Sequence, residues 1–206
     1  MARTRAEDYE DKHQAILDRA AEVFAEKGFA AASINDISAA TGMSKSALYH
    51  YHPSKEAILY AILTTHVRSV LEGAQRALEG SSDPEQRFRR FVAALVDNYA
   101  SAQAKHVVLL NDTGFLGESE QKEVRALERE LVDTAVRILA AVNPGAMGAA
   151  RLRKPYAMMF YGLVNWTYTW YDARGPIRPA ELASRMADLF LHGFRSAGGE
   201  AAVKAR

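Results

Sequence analysis

Cysteine is missing from this chain of 206 residues. Its absence removes structural disulfides, thiolate nucleophiles and most zinc frameworks together. There is no apolar run long enough to cross a bilayer and no hydrophobic leader, so the expected setting is the cytoplasm, away from any membrane. No segment alternates apolar and polar residues with the period of a strand, and the expected fold is all-α. Catalytic signatures are equally scarce. Gly42-Met43-Ser44-Lys45-Ser46 has neither the closing glycine nor the preceding strand of a nucleophile elbow. There is no phosphate-cradling glycine loop and no His-Glu-x-x-His. Of the histidines at 13, 50, 52, 66, 106 and 192, only His50 and His52 are near neighbours, and on a helix they point different ways. Neither an enzyme nor a metal or cofactor site is expected. Charge of one sign is lacking too: the net charge is +1, and residues 1–55 carry seven Lys/Arg against eight Asp/Glu. Any anion-binding surface must therefore be local.

What the chain does contain is the stretch from Ser33 to Lys55, SINDISAATGMSKSALYHYHPSK. Ser33 is placed to cap a helix, with Asp36 three residues on, where its carboxylate can reach back. Ile34, Ile37 and Ala40 fall at helical spacing and are expected to face a core. Thr41-Gly42 ends that helix, since glycine tolerates the left-handed geometry of a helix end. Ser44 caps a second helix through about Tyr51, and Pro53 stops it. Two short helices around a glycine turn spell helix-turn-helix. No Asp or Glu lies between Ile37 and Lys55. A phosphate backbone repels carboxylates and attracts lysines and helix N-termini, so the gap favours nucleic acid. A helical hairpin buried in a bundle is the plainer alternative.

Upstream, Ile16, Ala20, Val23 and Phe24 form a helical stripe from about Asp11 to Lys27, closed by Gly28 and Phe29. Arg3 and Arg5 precede it as a short arm suited to a minor groove. Downstream, Ser54 caps a long helix to about Glu79, which links the reading unit to the rest. Asp83-Pro84 opens another, Lys105–Leu110 is a short apolar piece, and Asn111–Gly117 reads as a loop. A long helix spans Glu118–Val142. Two last helices, about Ala149–Ala173 and Pro179–Ser196, are apolar enough to form a four-helix dimer seam with a second copy. The expected domains are residues 1–55, a helix-turn-helix DNA-binding domain joined by helix 54–79, and residues 56–206, an effector-binding and dimerisation domain. The C-terminal part is rich in aromatic residues and methionine, as helical-bundle pockets are. Tyr99, Asn111, Phe115, Met159, Asn165 and Trp166 are the expected ligand-binding residues, the two asparagines serving as polar anchors.

The run GFAAASINDISAATGMSKSALYHYHPSKEAIL resembles the DNA-binding domain of the TetR family of bacterial transcriptional regulators. Gly28-Phe29, Ser33, Ile37, Ala40, Gly42, Ser44, Leu48, Tyr49, Tyr51, Lys55 and Glu56 carry the likeness. His52 departs from it, at a place where phenylalanine is common. The resemblance implies a homodimeric repressor that reads a near-palindromic double-stranded DNA operator. In that reading Lys45, Tyr49 and Lys55 position the protein on phosphate, Ser46 and His50 meet base edges, and Ser33 and Ser44 present helix N-termini. Gly162–Trp166, Trp170-Tyr171, Gly175-Pro176 and Glu181-Leu182 look like the branch that answers to acyl-coenzyme A thioesters of fatty-acid, aromatic-acid or steroid degradation. Control of efflux by hydrophobic drugs is the alternative within the same family, and a thioester enzyme the remote one.

Overall fold

The computed structural model describes residues 2–197, with side chains from Glu7 onward except that of Asp8. The Arg3/Arg5 side chains and the expected frayed tail up to Arg206 lie outside what is described. In chain order the helices are α1 (Ala2–Lys27), α2 (Ile34–Thr41), α3 (Lys45–Tyr51), α4 (Lys55–Leu78), α5 (Pro84–Ser101), α6 (Gln103–Asp112), α7 (Glu118–Val142), α8 (Ala150–Asn165) and α9 (Pro179–Ser196). Single 3-10 turns follow α6 at Thr113–Phe115 and α8 at Trp166–Thr169. Among the described residues there is no strand, and no helix is long and apolar enough to cross a membrane.

Local chemistry sets most of these boundaries. The Ser54 hydroxyl accepts the Ala57 N–H at 3.1 Å to start α4. The Asp83 carboxylate accepts the N–H groups of Glu85 and Gln86 at 3.3 and 3.2 Å, and Pro84 opens α5 where a missing N–H costs nothing. Three elements differ from expectation. α1 begins at Ala2 rather than near Asp11, and the short apolar piece after Lys105 is a full helix, α6. α8 ends at Asn165 and does not run on to Ala173. Beyond it, the hydroxyls of Thr167 and Thr169 donate to the carbonyls of Val164 and Trp166 at 2.7 and 2.8 Å. Such side-chain bonds compete with α-helical pairing and tighten the chain into a 3-10 turn.

Packing divides the chain into two compact units, residues 1–67 with 102–125, and residues 68–101 with 126–206. The division cuts through α4 and α7, and it places α6 with the N-terminal helices rather than with everything else after residue 55. In the first unit Ile16, Leu17, Phe24, Ile37, Leu48 and Ile62 are buried. α6 lies along α1, where the Lys105 ammonium meets Asp18 Oδ1 at 2.5 Å. It also meets α4 through two buried histidines, His66 Nε2 and His106 Nδ1, 3.3 Å apart.

Burial pushes both imidazoles below the ordinary histidine range, and at His66 the neighbouring His106 adds to the effect. A base with a depressed folded pKa binds fewer protons folded than unfolded. It therefore withholds stability as the pH falls from its unfolded value toward its folded one. The melting temperature is expected to drop as the pH is lowered from the ordinary value of 6.5 toward about 4. His66→Phe and His106→Phe should flatten that acid limb in a melting series across pH.

The second unit is built on a cluster of phenylalanines in tilted and edge-on contact. Phe160 on α8 meets Phe88 and Phe91 of α5 and Phe190 of α9, with ring centroids 5.2, 5.7 and 5.6 Å away. Ion pairs Arg89–Asp188 at 2.6 Å and Arg195–Glu85 at 2.5 Å stitch α5 to α9 at its rim. The Tyr161 hydroxyl donates to the Leu131 carbonyl of α7 at 2.8 Å.

Candidate functional site

The helix-turn-helix of α2 and α3 is built by a short series of caps. Ser33 and Asp36 form a reciprocal capping box at the start of α2: Ser33 N–H donates to Asp36 Oδ2 at 2.8 Å and Asp36 N–H to Ser33 Oγ at 3.3 Å. Lys27 closes on the other Asp36 oxygen at 2.5 Å, and with Ser33 it holds that carboxyl well below the usual carboxylate range. Gly42 takes φ +68°, a left-handed conformation that a side chain would strain. The turn is tied by the Ser38 hydroxyl to the Met43 carbonyl at 2.5 Å. Ser44 then caps α3, accepting the Ala47 N–H at 3.2 Å.

Leu48 is the one α3 residue that is buried. Around it Lys45, Ser46, Tyr49 and His50 are exposed, so a single apolar anchor turns one polar face outward. On α2, Ile37 is buried and Ile34 half-buried. Ala40 is exposed, against expectation, on the side of α2 that borders a groove. A groove of about 890 Å³ separates α1 from α2 and α3, and its lining includes Lys12, Arg19, Ser44, Ser46, His50 and Tyr51. Sequence reading missed Lys12 and Arg19. Two turns apart on α1, they share one helix face, which was the available signal.

Lys55 differs from its expected phosphate role. Its ammonium donates to the carbonyls of Phe29 and Ala32, each at 2.8 Å, and lies 4.2 Å from the centre of the Phe29 ring. It tethers the α1–α2 turn. Ser33 and Ser44 likewise use their hydroxyls as caps. His52, in the place where the likeness has phenylalanine, is buried and stacks on His13 at 4.9 Å. Burial and the neighbouring His13 push it below the ordinary range, and its Nε2 is buried without a partner.

The expected ligand-binding residues are divided between the two units. Tyr99 is buried in the second unit, and burial pushes its hydroxyl far above the ordinary range. Asn165 is half-buried there, with its Oδ1 enclosed and unpartnered. Met159 and Trp166 point outward, each 64% exposed. Asn111 and Phe115 belong to the first unit and are exposed; Phe115 lies 5.2 Å from the Phe29 ring. Aromatic and methionine content, with two asparagines as anchors, marked these six, and composition does not tell an inner face from an outer one. Among the described residues no group of three or more His, Cys, Asp or Glu is placed to hold a metal ion.

Comparison with known proteins agrees with this arrangement. Residues 16–62 match the profile "Bacterial regulatory proteins, tetR family", and residues 81–194 match "Tetracyclin repressor-like, C-terminal domain". A TetR-family transcriptional regulator from Bordetella parapertussis 12822 superposes with a TM-score of 0.84 at 41% identity, over 87% of this chain and 93% of that one. The HTH-type transcriptional activator FasR of Mycolicibacterium smegmatis is 34% identical over 88 residues, 43% of this chain and 40% of FasR. The match to that relative thus spans less than half its length. AibR, solved in complex with isovaleryl coenzyme A and operator DNA, shares the fold with a TM-score of 0.74 at 22% identity, over 86% of this chain and 97% of AibR.

Proposed function

Because this chain belongs to the TetR family of bacterial transcriptional regulators, and is a regulator rather than an enzyme, we propose that it acts in the cytoplasm as a homodimeric repressor released by a small-molecule effector. The observation that carries the reading is the outward face of α3: Lys45, Ser46, Tyr49 and His50 exposed around the single buried Leu48. Two such helices, one per protomer, enter successive major grooves of a near-palindromic operator. Lys45 and Tyr49 seat on phosphate, and Lys12 at the groove beside α3 extends the same cationic edge. Ser46 and His50 meet base edges. Replacing Lys45 by alanine is expected to weaken operator binding and to lower the slope of log K against log salt by about 1 per reading helix. An unchanged slope in a salt titration would place Lys45 off the DNA.

The dimer forms through α8, the turn after it, and α9. Their outward residues Met158, Met159, Trp166, Trp170 and Leu189 are 48–69% exposed. So much large apolar surface on neighbouring elements suits burial against a second copy.

The effector is an acyl-coenzyme A thioester of a degradation pathway. AibR, with this fold, binds isovaleryl coenzyme A, and the enclosed Asn165 Oδ1 is an acceptor that a donor on a bound molecule would satisfy. Exposed Arg129, Arg151 and Lys154 are the cations on the second unit suited to its phosphates. Native mass spectrometry with isovaleryl coenzyme A, longer acyl thioesters, free acids and hydrophobic drugs tests this. Stoichiometric, unhydrolysed thioester on the dimer is the expected result. Retention of drugs alone would replace it with efflux control.

A further inference from the structure

The groove beside α3 is left unfilled by the helices around it. α1 supplies one wall with Lys12, Ala15, Ile16 and Arg19, and the end of α2, the turn and α3 supply the other. At about 890 Å³ it has the size of a small-molecule site. Its lining is of two kinds. Ala15, Ile16, Ala40, Met43 and Ala47 make much of it apolar. Its full charges are the cations Lys12 and Arg19, and among the described residues no Asp or Glu lines it. Arg19 is held by Glu22 at 2.8 Å, which leaves the exposed Lys12 ammonium as the cation for a bound anion. A sugar–phosphate strand would use the charge but has little apolar surface to set against the alanines and Met43. A molecule that carries one negative charge on an apolar body matches both halves of the lining.

We infer that this groove is a ligand site on the DNA-reading unit: it takes an organic monoanion of the alkyl-carboxylate class, and its occupation competes directly with operator DNA. The carboxylate meets Lys12, and the alkyl body lies against Ala15, Ala40, Met43 and Ala47. Competition follows from shared side chains, because Lys12, Ser46 and His50 line the groove and also belong to the surface proposed to meet DNA. An effector bound elsewhere acts through a finite coupling, so its effect on operator affinity levels off once its site is full. A competitor for the same surface has no such ceiling.

The competition rests on the proposed operator-binding face of α3. Its test is an operator titration at rising octanoate, with acetate at equal ionic strength and octan-1-ol as controls for charge without body and body without charge. Ala15→Leu and Ala40→Leu fill the groove from its two walls; both alanines are exposed, and neither is among the proposed DNA contacts. Octanoate is expected to raise the wild-type operator Kd in proportion to its concentration, without a plateau, and the two controls to leave it unchanged. Both variants should bind the operator within about threefold of wild type yet need about tenfold more octanoate for the same displacement. A plateau, or the same octanoate response in wild type and both variants, would overturn the inference and leave the operator reading in place. Variants that lose the operator by tenfold or more without octanoate would give the groove to DNA and overturn it too. If wild type binds no operator, that reading fails instead, and calorimetry of octanoate with the DNA-free protein decides the site: binding lost in Ala15→Leu keeps it, and binding unchanged in both variants ends it.

Discussion

Replacing Phe160 by alanine is expected to lower the unfolding free energy by about 3–5 kcal/mol. The side chain is 1% exposed and touches the rings of Phe88, Phe91, Tyr161 and Phe190. Those neighbours come from α5, α8 and α9, so no single helix can shift to fill the void, and most of the cavity must persist. Aromatic pairing is lost as well as area, which puts the cost toward the upper end. For a chain of this size the melting temperature should fall on the order of 10 °C. Calorimetry on wild type and Phe160→Ala checks the size of the loss.

A carboxylate placed on the outward face of α9 or of the turn after α8 should have the largest effect on function. Leu189→Asp combined with Trp166→Asp puts two charges where 69% and 64% exposed apolar side chains now stand. In the isolated chain this costs little, because both sites already face water. In a dimer it forces charges into an apolar seam without partners, which is strongly unfavourable. The double variant is expected to sediment as a folded monomer and to bind the operator about 100-fold more weakly or worse, since each half-site then binds alone. A folded variant that stays dimeric would move the seam off α8 and α9.

The local grammar of this chain was legible, and its long-range packing was not. Ser33 with Asp36, Gly42, Ser44, Ser54 and Asp83-Pro84 each set a helix boundary through bonds within a few residues, so sequence was enough to find them. The helix-turn-helix and the all-α class follow from those boundaries. Lys55 shows the limit. As a lysine at a helix start it reads as an anion contact, yet its partners are carbonyls at Phe29 and Ala32, more than twenty residues earlier. The expected ligand-binding residues show a related limit. Met159 and Trp166 share the apolar character of Tyr99, but only three-dimensional packing decides that Tyr99 turns inward and the others outward. The end of α8 was missed because threonine hydroxyls, bonding to carbonyls one turn back, compete with helix continuation. Periodicity does not register that competition.

On the ribosome, the DNA-reading unit emerges unfinished. Every residue of α1, α2 and α3 has been made by Tyr51, yet the helix that lies along α1 spans Gln103–Asp112, and the same compact unit extends to residue 125. At about 5–20 residues per second, the intervening stretch occupies the ribosome for roughly 3–12 s. During that interval the nascent chain displays the side of α1 that α6 will later cover. A chain released between residues 68 and 102 carries every residue proposed to meet base edges but lacks the helix that covers α1, and it is expected to be a substrate for chaperones and proteases rather than a small DNA-binding protein.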